Sequence, residues 1–204
     1  IPQPEGYAGC EPAMLLKDGL QLALGRYPNA GAAWGGYLPI GKHEGKRKIM
    51  PQALPASPNW EGAELVLRSR RWVLDRLRVK SHAGGELAFE GESTYEPYDD
   101  FGFFLQNHPA ALDTEGEWCC DRQKKEILLF TASDPNKSVY ECPSAKAVTD
   151  FSGSVFLSIS GIEFRGGNER TLNLYGARGI SLRSSTFALS GADAISIYNC
   201  QDLL

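Results

Sequence analysis

The sequence predicts an all-β chain in two parts: a sandwich-like or barrel-like β domain over residues 1–150, and the first coils of a β-solenoid over residues 151–204. The second part repeats itself every 23 positions, and a fixed period in this range is typical of stacked supersecondary units. The first part contains several short strand-like runs separated by turn residues, with no convincing helix, which indicates a sandwich or barrel.

Glycine and proline punctuate the first sixty residues. Leu20, Leu22 and Leu24 recur at every second position, as in a short strand, and the run ends at the turn signal of residues 26–29. Residues 30–60 contain nine glycines and prolines, which exclude a long helix and predict an irregular loop with one strand near residues 37–40. The basic cluster inside this loop is interpreted as solvated; it comprises Lys42, Lys46, Arg47 and Lys48.

From residue 63 onward the composition becomes strand-like. Trp72, Leu74 and Arg76 would share one face of a strand, with Asp75 and Leu77 on the other, and we prefer this strand to a helix because no cap precedes it. The further predicted strands are residues 64–68, 86–90 and 139–142, and a hairpin of residues 118–120 with 127–131. Six acidic residues within 86–100 match no EF-hand spacing and are interpreted as a solvated loop rather than a calcium site.

The coils are defined by apolar residues spaced 23 apart, such as Leu157, Ile180 and Leu203. Each coil has three short strands, at residues 156–159, 162–164 and 172–174 in the first and 180–182, 186–187 and 195–197 in the second. Alternation predicts an inward set and an outward set of side chains. The inward set is Leu157, Ile159, Ile162, Phe164, Leu172 and Leu174; the outward set is Ser158, Glu163 and Asn173. Because a solenoid usually needs about three or more units, we expect the preceding β domain to cap the first coil.

Composition restricts the function. A net charge of −4 argues against a nucleic-acid-binding protein. The sequence contains no run of about 18 apolar residues, so no membrane span is predicted. The five cysteines and three histidines show no metal-ligand spacing, so we expect buried cysteines, no metal and no cofactor. The oligomeric state is left open.

Three segments carry a resemblance to a known family. Residues 22–29 (LALGRYPN), 103–118 (FFLQNHPAALDTEGEW) and 121–130 are similar to the β-rich insertion domain of bacterial β-helix glycoside hydrolases of the α-fucosidase/xylanase or β-xylosidase type. Together with the period, the chain resembles the pectate-lyase-like superfamily of right-handed parallel β-helices. It departs from the family at Glu115, where proline is preferred, and at Cys119 and Cys120, where aromatic or aliphatic residues are preferred.

The resemblance implies a secreted, periplasmic or cell-surface bacterial protein that acts on a polysaccharide or oligosaccharide. It also implies Trp118 in the core of the insertion domain and Glu117 in a structural role. The family's catalytic carboxylates lie in later coils, so none is carried over, and whether the chain itself is an enzyme stays open. The alternatives are a noncatalytic carbohydrate-binding or adhesion module and a polysaccharide lyase.

Two acidic residues of the coils are candidate catalytic groups, since glycoside hydrolysis needs a pair of carboxyl groups. Glu163 points outward from a strand, and Asp193 lies at a coil corner. The alternative for Asp193 is an ion pair with Arg170, its partner 23 residues earlier.

An outward polar and aromatic ladder is the candidate substrate-binding surface. Asn173 is spaced 23 residues from Ser196, and Tyr175 is spaced 23 residues from Tyr198. Sugars bind by stacking on aromatic rings and by hydrogen bonding through their hydroxyls. A surface on which the insertion domain packs is an equally good interpretation.

Overall fold

The computed structural model describes residues 11–122 and 124–204. Its strands through residue 89 are β1 Leu16–Lys17, β2 Leu20–Gln21, β3 Arg26–Tyr27, β4 Leu38–Pro39, β5 Lys42–Glu44, β6 Lys48–Met50, β7 Glu64–Arg70, β8 Val73–Ala83 and β9 Glu86–Phe89. Those that follow are β10 Gly102–Gln106, β11 Trp118–Asp121, β12 Glu126–Leu129, β13 Tyr140–Glu141, β14 Ala147–Asp150, β15 Ser158–Ser160, β16 Glu163–Gly167, β17 Arg170–Tyr175, β18 Arg178–Arg183, β19 Thr186–Ser190, β20 Asp193–Tyr198 and β21 Gln201–Leu203. Within these residues, helical structure is confined to three single turns, α1 (Ala33–Gly36), Pro109–Ala111 and Pro135–Lys137, so the all-β prediction is confirmed.

Contacts divide the described chain into two compact units. The sheet unit is residues 23–135, and the coil unit is residues 11–22 together with 136–204. Residues 136–150, which the sequence groups with the first domain, have their contacts in the coil unit. No described helix is long and apolar enough to cross a membrane.

The sheet unit is built on one antiparallel sheet with the strand order β3-β10-β7-β8-β9-β6-β5, and β4 pairs with β10. A separate hairpin, β11–β12, forms where it is predicted. No closed barrel is formed by the described residues. Alternation along β8 sorts the side chains as expected, because Asp75 and Val79 are buried while Leu74 is exposed. Trp72, in the turn before β8, is also exposed. The buried core comprises Ile40, Ile49, Leu54, Trp60, Ala63, Leu65, Leu67, Val79, Leu87, Phe89, Phe103, Leu105 and Ala111.

The hairpin β5–β6 is formed in the stretch that the sequence predicts to be irregular. Its turn contains Gly45 at φ 55°, and it follows Gly41 at φ 74°, where an added Cβ would lie 2.5 Å from the Met50 carbonyl oxygen. Glycine at these two positions therefore permits the hairpin, whereas the high glycine content of this stretch had predicted an irregular loop.

The basic cluster on this hairpin pairs with the acidic stretch. Lys48 contacts Glu86 at 3.2 Å, and Arg47 contacts Glu92 at 2.9 Å. His43 lies 2.6 Å from a carboxylate oxygen of Asp99. The sequence predicts that the basic cluster and the acidic stretch are both solvated loops. In the structure, side chains of the basic cluster form ion pairs with side chains of the acidic stretch. These exposed pairs align the hairpin but stabilise it little.

The coil unit contains three parallel ladders: β14-β17-β20, β15-β18-β21 and β16-β19. The register places residues 23 apart side by side, as predicted, including Phe164 with Phe187, Leu172 with Ile195 and Ile180 with Leu203. Its buried core comprises Leu172, Leu174, Ala177 and Ile180. Hydrogen-bonded parallel strands at this fixed offset show that the chain returns to the same three sheets in each coil.

Ile162 departs from the predicted inward set because its side chain is 46% exposed. The strand β16 begins only at Glu163, and Ile162 lies in the turn after Gly161, whose φ is 70°. Side-chain alternation does not extend into the turn, so Ile162 is not held toward the core.

The segment before the sheet unit packs within the coil unit. Met14 and Leu15 are buried, and the Ala13 amide donates to Asn168 Oδ1 at 2.7 Å. The Asn168 side-chain amide donates to the Glu11 carbonyl oxygen at 2.8 Å. Asn168 is itself buried at a corner of the first coil, so these bonds satisfy polar groups that burial would otherwise leave unpaired.

Candidate functional site

The two candidate catalytic carboxylates lie on different ladders of the coil unit. Glu163 begins β16, and Asp193 begins β20 in the following coil. Glu163 is in register with Thr186, and Asp193 is in register with Arg170. Catalytic pairs are about 5 Å apart for retention and about 6.5–9.5 Å for inversion. Glu163 and Asp193 thus begin strands of different ladders, and their role as a catalytic pair stays a prediction.

The expected ion pair between Arg170 and Asp193 is not formed within the described residues. The two residues are register partners in adjacent strands, but the Arg170 guanidinium contacts Glu169 at 3.5 Å and donates to Asn173 Oδ1 at 3.3 Å. Asp193 is exposed and lies beside the corner residues 191–192. It is thus available to solvent.

The candidate binding residues do come together, on the outward side of the ladder β14-β17-β20. Asn173 pairs in register with Ser196, and Tyr175 pairs with Tyr198. The two tyrosine rings stack with centroids 5.6 Å apart and planes 12° apart, and both side chains are exposed. We call these four residues, together with Asp150, the tyrosine face.

Asp150 was not singled out from the sequence, although the period places it 23 residues before Asn173. The Asn173 amide donates to Asp150 Oδ2 at 3.1 Å and to the Ser152 hydroxyl at 3.2 Å. Hydrogen bonds from Ser152, and then from Asn173, hold the pKa of Asp150 below its ordinary value. Extending the repeat one coil toward the N-terminus would have found this carboxylate, which stays ionised and accepts hydrogen bonds.

The stacking of the tyrosines limits what the face can do. Because the two rings cover part of each other's faces, they present edges and hydroxyl groups to solvent more than open ring faces. Hydroxyls, an amide, and a carboxylate suit hydrogen bonding to a hydroxyl-rich ligand. The arrangement suits binding and contains no described nucleophile with an adjacent base.

The sheet unit gathers a second polar group of residues that the sequence did not connect. Glu61, Arg78, His108 and Asp121 line a hollow of about 200 Å³. Burial lowers the pKa of His108. The hollow is smaller than the roughly 300 Å³ at which ligand pockets begin, so it is not the main candidate. These residues lie far apart in sequence, which is why no spacing pattern joins them.

The residues of the resemblance have structural positions. Trp118 is buried, as expected, and Glu117 is buried with its carboxylate accepting from the amides of Asp113 and Thr114 at 3.0 Å each. Glu115, which departs from the family pattern, accepts from the Thr131 hydroxyl at 2.7 Å and from the Ala132 amide at 2.8 Å. Glu117 therefore closes the turn before β11, and Glu115 joins that turn to the chain after β12.

The described cysteines are free, and Cys10 lies outside the described residues. Burial is the main cause that raises the pKa of Cys119 to about 12, and it also raises the pKa of Cys142.

We expect Cys119 to resist iodoacetamide in the native protein at pH 8, because only the thiolate reacts, whereas the half-buried Cys200 is alkylated. Peptide mass spectrometry with and without urea measures this. Equal native labelling of both cysteines would contradict the burial of Cys119.

No group of three or more His, Cys, Asp or Glu side chains that could hold a metal ion occurs in residues 11–122 and 124–204.

Comparison with solved structures finds similarity to a protein described as a glycoside hydrolase. The match has a TM-score of 0.52 and 15% sequence identity, and covers 87% of this chain and 32% of that protein. The chain thus spans about a third of the length of the structure it matches, and the likeness shows a shared fold. No protein-family model and no curated protein matches the sequence.

Proposed function

We propose that this chain is part of a secreted or cell-surface carbohydrate-active protein, a right-handed parallel β-helix of the glycoside hydrolase type, whose partner is a polysaccharide or oligosaccharide. The observation that carries the proposal is the all-β likeness to a glycoside hydrolase over 87% of the chain. The parallel ladders at a 23-residue offset support the β-helix part, since three sheets built from successive coils are what that architecture requires.

Within this proposal the tyrosine face binds saccharide. The ionised Asp150 and the Asn173 amide are held in fixed positions by the hydrogen bonds between coils, so little side-chain freedom is lost when a sugar hydroxyl binds. Tyr175 and Tyr198 add hydroxyl groups and apolar ring edges next to them. Hydrogen bonds beside an apolar surface are what a sugar ring requires.

A noncatalytic binding role for the described residues is the second candidate. The tyrosine face favours it, because its hydroxyl, amide and carboxylate groups include no described nucleophile with an adjacent base. In that case the chain supplies a wall of a binding surface. A lyase is less favoured, since no outward lysine stands on the ladders to act as a base.

Affinity electrophoresis tests the proposal directly. The chain should migrate more slowly in gels that contain a polysaccharide it binds, and Tyr175→Ala/Tyr198→Ala should reduce that retardation by at least about fivefold, as expected for losing about 1 kcal/mol or more of contact. Phe130→Ala, which removes an exposed aromatic residue of the sheet unit, is the matched control and should leave the retardation unchanged.

Release of reducing ends, and of unsaturated sugars that absorb in the ultraviolet, separates hydrolase, lyase and binding roles on the same polysaccharides. A chain that is retarded by none of a panel of neutral and acidic polysaccharides would refute the proposal.

A further inference from the structure

An aromatic and basic groove lies on the sheet unit, away from the tyrosine face in sequence and in a different unit. It has a volume of about 790 Å³, within the usual range of small-molecule sites. Its lining includes Trp34, Tyr37, Arg68, Arg71, Asp100 and Phe101. We call it the Trp34 groove.

Trp34 is an exposed side chain held by an ordered backbone. It is 89% exposed, and its φ of 61° lies in the left-handed region, which is costly for a residue with a Cβ. The turn is secured from both sides, since the Gly36 amide donates to the Ala32 carbonyl oxygen at 3.1 Å and the Arg26 guanidinium donates to the Gly36 carbonyl oxygen. A strained turn that presents a bare indole to solvent indicates a ligand platform rather than a packing contact.

Tyr37 forms the floor of the groove. Its ring meets Phe104 edge-on at 5.3 Å, and Gly102 leaves it room, because a Cβ there would lie 2.9 Å from the Tyr37 Cβ. The Arg68 guanidinium carbon lies 5.4 Å from the Tyr37 ring centroid. Stacking on the ring fixes the plane of the guanidinium, which makes its donors available in a defined direction.

The basic groups of the groove have unused hydrogen-bonding capacity. Arg68 is half-buried beside the groove, and its buried Nε has no partner among the described residues, so no bond within the protein neutralises this guanidinium at Nε. Arg71 lies in the exposed turn between β7 and β8. Two guanidinium groups against the one carboxylate of Asp100 leave a local excess of positive charge in a chain whose net charge is −4.

We propose that the Trp34 groove binds an anionic sugar residue, one that carries a carboxylate or a sulfate. The indole of Trp34 stacks on the apolar face of the sugar ring, and Arg68 and Arg71 pair with the anionic group. The carboxylate of Asp100 accepts from sugar hydroxyls, and a hydroxyl-bearing ring is therefore favoured over a bare anion. The inference deepens the proposed function and rests on it, since it names the charge class of the glycan.

A nucleic acid would also combine stacking with negative charge. It is disfavoured here because a continuous phosphate backbone would meet Asp100 and an acidic chain, whereas one anionic group per sugar needs only the two arginines.

Isothermal titration with oligosaccharides tests the inference. The ligands are oligogalacturonate as the carboxylate probe, a heparin oligosaccharide as the sulfate probe, xylo-oligosaccharide as the neutral probe and a single-stranded oligonucleotide. We expect one of the two anionic sugars to bind, more weakly as salt increases, and the neutral sugar to bind this groove at least about tenfold more weakly. Trp34→Ala and Arg71→Gln should each weaken anionic binding by about tenfold or more.

Matched variants separate this inference from the proposed function. Phe130→Ala should leave the affinity unchanged, and Arg68→Lys, which keeps the charge but removes the planar fork, should weaken it. If anionic binding survives Trp34→Ala but is lost in Tyr175→Ala/Tyr198→Ala, the groove inference fails while the proposed function stands. Tighter binding of the oligonucleotide than of either anionic sugar would overturn it in favour of a nucleic acid. If no saccharide binds the unaltered chain, both fail.

Discussion

Trp118→Ala should lower the free energy of unfolding of the sheet unit by about 3–5 kcal/mol. Trp118 is 1% exposed and begins the hairpin β11–β12, so alanine would remove the largest buried side chain of that hairpin and leave a cavity. Because native domains are stable by only about 5–15 kcal/mol, a loss of this size should be visible as a lower urea midpoint.

Trp72→Ala is the matched control, since it is the same substitution in the same unit at a side chain that is 74% exposed. Its unfolding free energy should change by about 0.5 kcal/mol or less. If the two variants unfolded at the same urea concentration, Trp118 could not be the core residue that the structure shows.

The second large effect concerns Asp75, a buried carboxylate on β8. It accepts from the Ser69 hydroxyl at 2.5 Å, from the Thr94 amide at 3.0 Å and from the Thr94 hydroxyl at 2.6 Å. Asp75→Ala removes all three acceptor contacts and leaves the fully buried Ser69 hydroxyl without its hydrogen-bond acceptor. We expect a loss of about 3 kcal/mol in the free energy of unfolding, because leaving the buried Ser69 hydroxyl unpaired costs about 1–3 kcal/mol. The two bonds from the exposed Thr94 add less, since water can replace them.

Asp75→Asn separates the hydrogen bonds from the charge. Asparagine keeps an acceptor for Thr94 and can donate to Ser69 Oγ, because a hydroxyl group is both donor and acceptor. The expected loss is about 1 kcal/mol, measured by the same urea titration. An asparagine variant as unstable as the alanine variant would show that the negative charge, and not the bonding pattern, is what β8 requires.

The coil unit was the most predictable part of the chain because a repeat constrains many positions at once. One period sufficed to place Leu172 beside Ile195 and Tyr175 beside Tyr198. It would also have placed Asp150 beside Asn173, had the period been extended to the rung before the first predicted coil. The prediction that Ile162 points inward was wrong because periodicity describes strands and not the turn at Gly161.

The sheet unit was less predictable because its important contacts join residues distant in sequence. His43 contacts Asp99, and Asp75 contacts Thr94, at separations that no local pattern encodes. The Trp34 groove is assembled in the same way, from the turn after β3, the end of β7 and the start of β10. Local composition predicted whether each of these segments is a loop or a strand. Their proximity follows from the order of the strands in the sheet, which local composition does not predict.

The most direct test of carbohydrate recognition is an equilibrium titration of the unaltered chain with defined oligosaccharides, followed by two-dimensional NMR. We expect saturable binding, with amide shifts confined to the tyrosine face around Tyr175 and Tyr198 or to the Trp34 groove. If no amide shifts with any neutral or anionic oligosaccharide while the chain stays folded, the chain does not recognise carbohydrate.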